Sequence, residues 1–233
     1  MKKEEPALVD VTAFPVMDFM ICQAHLPIDL INNLNNELDN LLLDSERKSH
    51  SHTLVGQIKK GEQIHLLREN KIFQRIYRTA EQMGMTYIEL YGQVTGQREE
   101  IPWKKAICTE CWSVHQFSGD YNPLHDHGVE SLCGLSFILW TKVPTNMRNS
   151  EADTLFKASG MMDGCVKFVN GPVSQRGYAE FRQPKVLDVI PEIGRFVIFP
   201  HWLNHMVNPF YCEGERRSIS GNVNLFKEDE ADV

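Results

Sequence analysis

"RRSISGNVNLF", residues Arg216 to Phe226, changes chemical character at every step. Arg216, Ser218, Ser220, Asn222 and Asn224 share one parity; Arg217, Ile219, Gly221, Val223 and Leu225 share the other. Side chains alternate across a strand with period two, so the stretch reads as a strand with one polar and one largely apolar face. Two settings give that pattern: a sheet wetted on one side, or a barrel strand whose polar face lines a cavity. In the second setting Arg216 and Ser218 suit an anion, because the planar guanidinium matches a carboxylate and the hydroxyl adds a hydrogen bond.

Upstream, from about Ala106, the chain continues in the same style. "AICTECWSVHQF", "SLCGLSFILWTKV", "CVKFVNG", "PKVLDVI" and "GRFVIFP" are strand-length and rich in β-branched or aromatic residues, and "PEIG" before Arg195 marks a turn. Many short strands at regular spacing predict a sandwich or barrel. The first half reads differently. "PIDLINNLNNELDNLLLDS" repeats Leu30, Ile31, Leu34, Leu38, Leu41 and Leu42, and "NKIFQRIYRTAEQMGMTYIELYG" places Phe73, Ile76, Tyr77, Ala80, Met83 and Tyr87 on one helical face. The expected architecture is α+β with a mainly β core: one domain over residues 1–233, with 1–104 a mainly helical support, 105–227 the β core and 228–233 an acidic tail.

Two histidine motifs sit in the β half. "NPLHDHG" sets His125 and His127 at i and i+2, on one face if the segment is a strand. "FPHWLNH" sets His205 after a strand end. Imidazoles on one face are either a surface accident or parts of a metal site.

The totals bound the function. The chain has 233 residues, a net charge of −7, 42% hydrophobic and 24% charged residues, which is ordinary for a globular protein. The acidic balance argues against nucleic-acid binding driven by excess Lys and Arg. Apolar runs such as "LCGLSFILW" are too short to span a membrane. "MKKEEPALVD" lacks the apolar core of a signal peptide, so the six cysteines are expected as reduced thiols in a cytoplasmic setting.

In order, "GDYNPLHDH", "CGLSF", "FPHWLNH" and "RRSISGN" resemble the iron(II)/2-oxoglutarate-dependent oxygenases, in the prolyl-hydroxylase-like branch of bacteria and phages. The resemblance covers about Trp112 to Phe226 and rests on the order and spacing of the set. It implies a double-stranded β-helix (jelly roll) buttressed by the N-terminal helices. It implies a dioxygenase that hydroxylates a C–H bond, with Fe(II), 2-oxoglutarate and O2 as cofactor and co-reactants, and it admits ascorbate. The substrate would be a peptidyl, prolyl-type residue or a small molecule. Carried over, His125 and His205 would ligate iron, position 127 would supply the third ligand, and Arg216 with Ser218 would hold the distal carboxylate of 2-oxoglutarate. The chain departs from the common pattern at position 127, where His replaces Asp or Glu, so the metal would meet three neutral imidazoles. Strand parity favours His127 over Asp126 as ligand; a bulge would reverse that choice, and Glu130 is a more distant candidate.

Two other classes compete: a cupin-like three-His metalloenzyme that does not use 2-oxoglutarate, and a non-catalytic β-barrel binding module. Trp112, Tyr121 and Trp202 are candidate pocket walls or core aromatics. His201 suits a substrate contact or the surface, and His115 lies near the set. His50 and His52 sit in a polar, Ser-flanked loop and read as solvated. "CTEC", Cys108 to Cys111, has the spacing of half a zinc knuckle, but nothing completes it, and a regular strand would aim the two thiols at opposite faces.

Overall fold

Short apolar runs become strands, and the two segments with 3.6-residue periodicity become helices. The computed structural model describes residues 9–16, 19–96, 101–128, 133–148, 160–170 and 186–227. In chain order these form β1 (Val9–Val16), β2 (Phe19–His25), α1 (Ile28–Leu43), β3 (Gln63–His65), α2 (Lys71–Thr95), β4 (Trp103–Gln116), β5 (Asn122–His125), β6 (Gly134–Lys142), β7 (Val166–Val169), β8 (Val186–Val189), β9 (Arg195–Pro200), β10 (Asn204–Val207) and β11 (Arg216–Lys227). Seven strands make one sheet in the order β1-β2-β9-β6-β11-β4-β3, and four make a second in the order β5-β10-β7-β8. Every pairing is antiparallel.

Both predicted helices are present. Asn70 caps α2, its side-chain oxygen accepting from the backbone N–H of Ile72 and Phe73, and Gly96 ends it in the left-handed region at φ 73°. The predicted apolar face of α2 is buried throughout, as are Leu30, Ile31, Leu34 and Leu38 of α1. These side chains join one core with Ile219, Val223 and Leu225, the apolar parity of β11. Each fully buried side chain of this kind contributes roughly 1.5–3 kcal/mol. A second core, containing Ile138, Trp140, Phe168, Phe199 and Val207, fills the space between the two sheets. The layers are therefore helices, large sheet, small sheet.

The first hundred residues are not only a helical support. β1 and β2 extend the large sheet at one edge and β3 closes the other. β2 is buried on both faces along most of its length, so it shows no alternation, and β3 is only three residues long. Pairing with β9 and β4, remote in sequence, defines these strands. The acidic tail lies outside the described residues. Among the described residues no helix is long and apolar enough to cross a membrane.

A charged cluster fastens α1 to the sheet. The buried Arg217 donates to Glu215 through Nε at 2.7 Å and to Asp39 of α1 through Nη2 at 2.6 Å. His115 joins Glu215 through Nδ1 at 2.7 Å and Ser113 through Nε2 at 2.9 Å. Burial alone would raise the Glu215 pKa; the hydrogen bonds from His115 and Arg217 outweigh it and lower the carboxyl from its ordinary 4.5 to about 2. Close approach governs the middle of β11, where a Cβ on Gly221 would stand 2.4 Å from the Glu110 carbonyl oxygen and 2.7 Å from the Phe137 ring.

Two outcomes follow. Gly221→Ala overfills this contact and should lower the unfolding free energy by about 1–3 kcal/mol in urea, with the slope against urea unchanged. Between pH 4.5 and about 2 the unfolded chain binds the Glu215 proton that the folded chain refuses, so stability falls as pH drops through that window. The stability involved is roughly 3 kcal/mol at 1.4 kcal/mol per unit. Urea unfolding at stepped pH should show a shallower acid slope for Glu215→Gln than for wild type.

Candidate metal centre and anion pocket

Three imidazoles from the small sheet meet on the side that faces β11. His125 ends β5, His205 sits in β10, and the two are direct partners across the antiparallel pair. Direct partners project to the same face, and their ring centroids are 4.3 Å apart. His127 lies beyond the end of β5 and keeps the parity because its N–H donates to the His201 carbonyl at 2.9 Å. Its ring centroid is 5.3 Å from that of His125 and 5.0 Å from that of His205. Each residue offers a ring nitrogen within 4.8 Å of the other two.

Hydrogen bonds decide which nitrogens those are. His125 Nδ1 donates to the Pro123 carbonyl at 2.7 Å, His205 Nδ1 to the Leu203 carbonyl at 2.9 Å, and His127 Nδ1 to Asn222 Oδ1 at 2.8 Å. A carbonyl oxygen only accepts, so each Nδ1 carries the proton and each Nε2 keeps its lone pair. Burial, before all other causes, pushes the three pKa values below the ordinary histidine value, His127 to about 4 and His205 well below. The rings are neutral at neutral pH, the form that binds metal. Three imidazole nitrogens on one side suit a first-row transition ion such as Fe(II), Ni(II), Co(II) or Zn(II) rather than Mg(II) or Ca(II).

The polar face of β11 forms the opposite wall of a cavity of about 200 Å³ that the histidines also line. Arg216, Ser218, Ser220 and Asn222 enter it in sequence, as the alternation requires. Arg216 is 1% exposed. Its Nη1 donates to Gln116 Oε1 at 2.6 Å and its Nε to the Gly164 carbonyl at 3.2 Å, while Nη2 is buried with no partner among the described residues. Burial lowers its pKa to about 10, which still leaves it charged at neutral pH. Gln116 in turn donates to Asn122 Oδ1 at 2.9 Å, tying β4 to β5. A buried guanidinium whose Nη2 hydrogens have no acceptor, and which has no carboxylate partner, among the described residues is suited to receive an anion.

The remaining candidates are distributed as follows. Asp126 is exposed at the cavity rim and outside the nitrogen cluster, and Glu130 lies outside the described residues. Trp112 lines the cavity, whereas the half-exposed Trp202 lines a separate apolar groove and Tyr121 is exposed. His201 donates from Nδ1 to the Gly134 carbonyl, and His115 belongs to the Glu215 cluster on the helix side. His50 is not simply solvated: it stacks on Trp112 at 5.3 Å and lines the cavity. Cys108 and Cys111 do not face opposite ways, because a bulge at Thr109 shifts the register between Asn222 and Val223. Both thiols enter the helix-side core, 3.5 Å apart, and all six cysteines are free. Sequence reasoning missed Gln116, Glu110 and Ser136. Only strand register, which places Gln116 opposite Arg216, Glu110 opposite Asn222 and Ser136 opposite Asn222, identifies them.

A three-nitrogen cluster opposite a buried arginine whose Nη2 has no partner among the described residues suits a metal ion beside an anionic group. Residues 110–222 match the model of the family described as "Putative 2OG-Fe(II) oxygenase". That stretch, just under half of the chain, contains all three histidines, Arg216 and Ser218. A prolyl-4-hydroxylase from Pseudomonas putida is 16% identical at a TM-score of 0.55, over 88% of this chain and 91% of that one. HygX from Streptomyces hygroscopicus, solved with nickel, 2-oxoglutarate and hygromycin B bound, is 12% identical at 0.52, over 88% and 82%. A prolyl hydroxylase from Trichoplax adhaerens, in complex with a peptide fragment of the hypoxia inducible factor oxygen degradation domain, is 14% identical at 0.50, over 90% and 84%. At these identities the likeness is one of fold. No curated protein matches the chain in sequence.

Titrated calorimetrically with Ni(II), the protein should bind a single ion. His127→Ala and His205→Ala should each weaken binding by more than the tenfold to hundredfold typical of losing a group behind a ligand. Unchanged affinity in both variants would remove the cluster from consideration.

Proposed function

We propose that the chain is an Fe(II)/2-oxoglutarate-dependent dioxygenase in which His125, His127 and His205 hold the iron and Arg216 with Ser218 holds the distal carboxylate of 2-oxoglutarate. In this reading the two sheets are the halves of a double-stranded β-helix, with the site between them. The single observation that carries it is the buried Arg216 Nη2, without a partner among the described residues, in a cavity that three ligand-ready imidazoles share. A three-His site that ignored 2-oxoglutarate would leave that guanidinium without purpose and at a desolvation cost.

Bound together, iron and 2-oxoglutarate supply the oxidising power that couples O2 reduction and decarboxylation to succinate with hydroxylation of a C–H bond. The residues bind and orient. Gln116 and the Gly164 carbonyl lock the Arg216 fork, so it meets a carboxylate without reorganising. Phe199 packs edge-on against His205 at 4.9 Å and Phe168 lies at 5.9 Å, keeping water from that ring. Three neutral ligands leave Fe(II) with its full charge, which the 2-oxoglutarate dianion offsets. Asp126, exposed at the rim, offers a polar contact where substrate enters. The substrate we favour is a peptidyl residue of prolyl type, with a small molecule second, taken up in the cytoplasm.

Succinate release from 2-oxoglutarate with Fe(II), O2 and candidate peptides tests the reading, alongside the visible charge-transfer absorption of the anaerobic Fe(II)–2-oxoglutarate complex. Arg216→Met should weaken 2-oxoglutarate binding by roughly 30- to 4,000-fold, the range for breaking a buried charge pair, and leave Ni(II) binding in place. A wild-type protein that binds metal yet gives no such absorption at millimolar 2-oxoglutarate would transfer the site to the cupin-like class.

A further inference from the structure

The three candidate ligands are not held alike. His125 and His205 each donate Nδ1–H to a neutral main-chain carbonyl two residues earlier, Pro123 and Leu203. His127 alone leans on a side chain, Asn222 Oδ1 at 2.8 Å. Asn222 is 6% exposed and its orientation is fixed from three sides. Oδ1 accepts from His127 and from the Ser136 hydroxyl at 3.0 Å, and Nδ2 donates to Glu110 Oε1 at 2.7 Å. Cross-strand pairing of Glu110 with Asn222 aims both at the cavity, on the regular parity that runs from Gln116 through Trp112 to Glu110 and ends at the bulge of Thr109. Among the described residues no Lys or Arg pairs with Glu110; its side chain meets Asn222 and, at 3.5 Å, His50, which burial above all keeps towards its neutral form.

We propose that Glu110 and Asn222 are positioning residues for His127, a carboxylate–amide–imidazole relay that returns to the third ligand the negative charge the chain loses by carrying His there in place of Asp or Glu. This rests on the metal reading of the three histidines and goes beyond it. The carboxylate polarises the Asn222 amide, makes Oδ1 more negative and draws the His127 Nδ1 proton towards it, so Nε2 becomes a stronger donor. The amide also prevents the ring from flipping, because the Nδ2 end is committed to Glu110. Such outer partners change metal affinity by about tenfold to a hundredfold. The half-exposed Glu110 sets the expected effect at the lower end, since solvent screens its charge.

Co(II) alone is the probe, because its visible bands report the ligand field without turnover. Titrated anaerobically, Glu110→Gln keeps a hydrogen-bond acceptor for Asn222 Nδ2 but no charge. It should weaken Co(II) binding about tenfold and shift the bands, with thermal unfolding of the metal-free protein unchanged. Asn222→Ala should weaken binding further, towards a hundredfold. Asn222→Asp in the Glu110→Gln background brings a carboxylate directly to His127 Nδ1 and should restore the affinity. Wild-type affinity and bands in Glu110→Gln, or no recovery in the double variant while it remains folded, overturn the relay and leave the three-His site standing. Absence of Co(II) binding in wild type overturns both.

Discussion

Register along β11 is the constraint on which the rest depends. The strand is hydrogen-bonded on one edge to β4 and on the other to β6, almost residue by residue. A slip by one position would carry Ile219, Val223 and Leu225 into the cavity and Arg216, Ser218, Ser220 and Asn222 into the core beneath the helices. The same twelve residues therefore place Arg216 and Ser218 in the cavity, orient His127 through Asn222 and anchor the helical layer. Arg217, on the apolar parity, shows how firmly this is enforced: its guanidinium reaches across the core face to Asp39 and Glu215, turning the one misfit of the pattern into the fastening of α1.

Electrostatics within the cavity follow from that placement. At one end a buried guanidinium holds positive charge without a carboxylate partner among the described residues; in the middle three imidazoles are kept neutral by burial; at the other end stand the carboxylates of Glu110 and, at the rim, Asp126. Protein groups compensate the desolvated Arg216 only in part, since its Nη2 has no acceptor among the described residues. Sites that must receive charge tolerate such local cost because the fold supplies stability elsewhere. Here the two cores, packed on either side of the large sheet, are that supply.

Much of this was legible in sequence where periodicity expresses a boundary between water, cavity and core. The alternation at 216–226 gave the polar face, and the helical faces of α1 and α2 were readable for the same reason. The family resemblance carried the grouping of His125, His127 and His205, whose ring nitrogens the fold brings within 4.8 Å of one another. Three features were not legible. β2 is buried on both sides and so lacks a period. The stacking of His50 on Trp112 joins a polar loop to a strand distant in sequence. The bulge at Thr109 reversed the expected facing of the "CTEC" thiols, because an inserted residue leaves no compositional trace.

That bulge reconciles two demands that a regular strand cannot meet together. Trp112 and Glu110 line the cavity, while Cys108 and Cys111 must both enter the core against α2. With strict alternation Cys108 would share the face of Glu110 and Trp112 and put a thiol into the cavity. The extra residue at 109 resets the parity, so the core regains Cys108 beside Val223 while Glu110 stays opposite Asn222. Tyr77 of α2 closes the arrangement, its hydroxyl accepting from the Cys111 N–H at 3.2 Å and donating to the Leu66 carbonyl at 2.8 Å. Burial holds the Cys111 thiol well above its ordinary pKa, so it packs beside Cys108 as a small apolar group rather than as reactive sulfur. The helical layer thus pins the bulge from behind, and through it fixes the Glu110 carboxylate in front, linking the N-terminal half of the chain to the third imidazole.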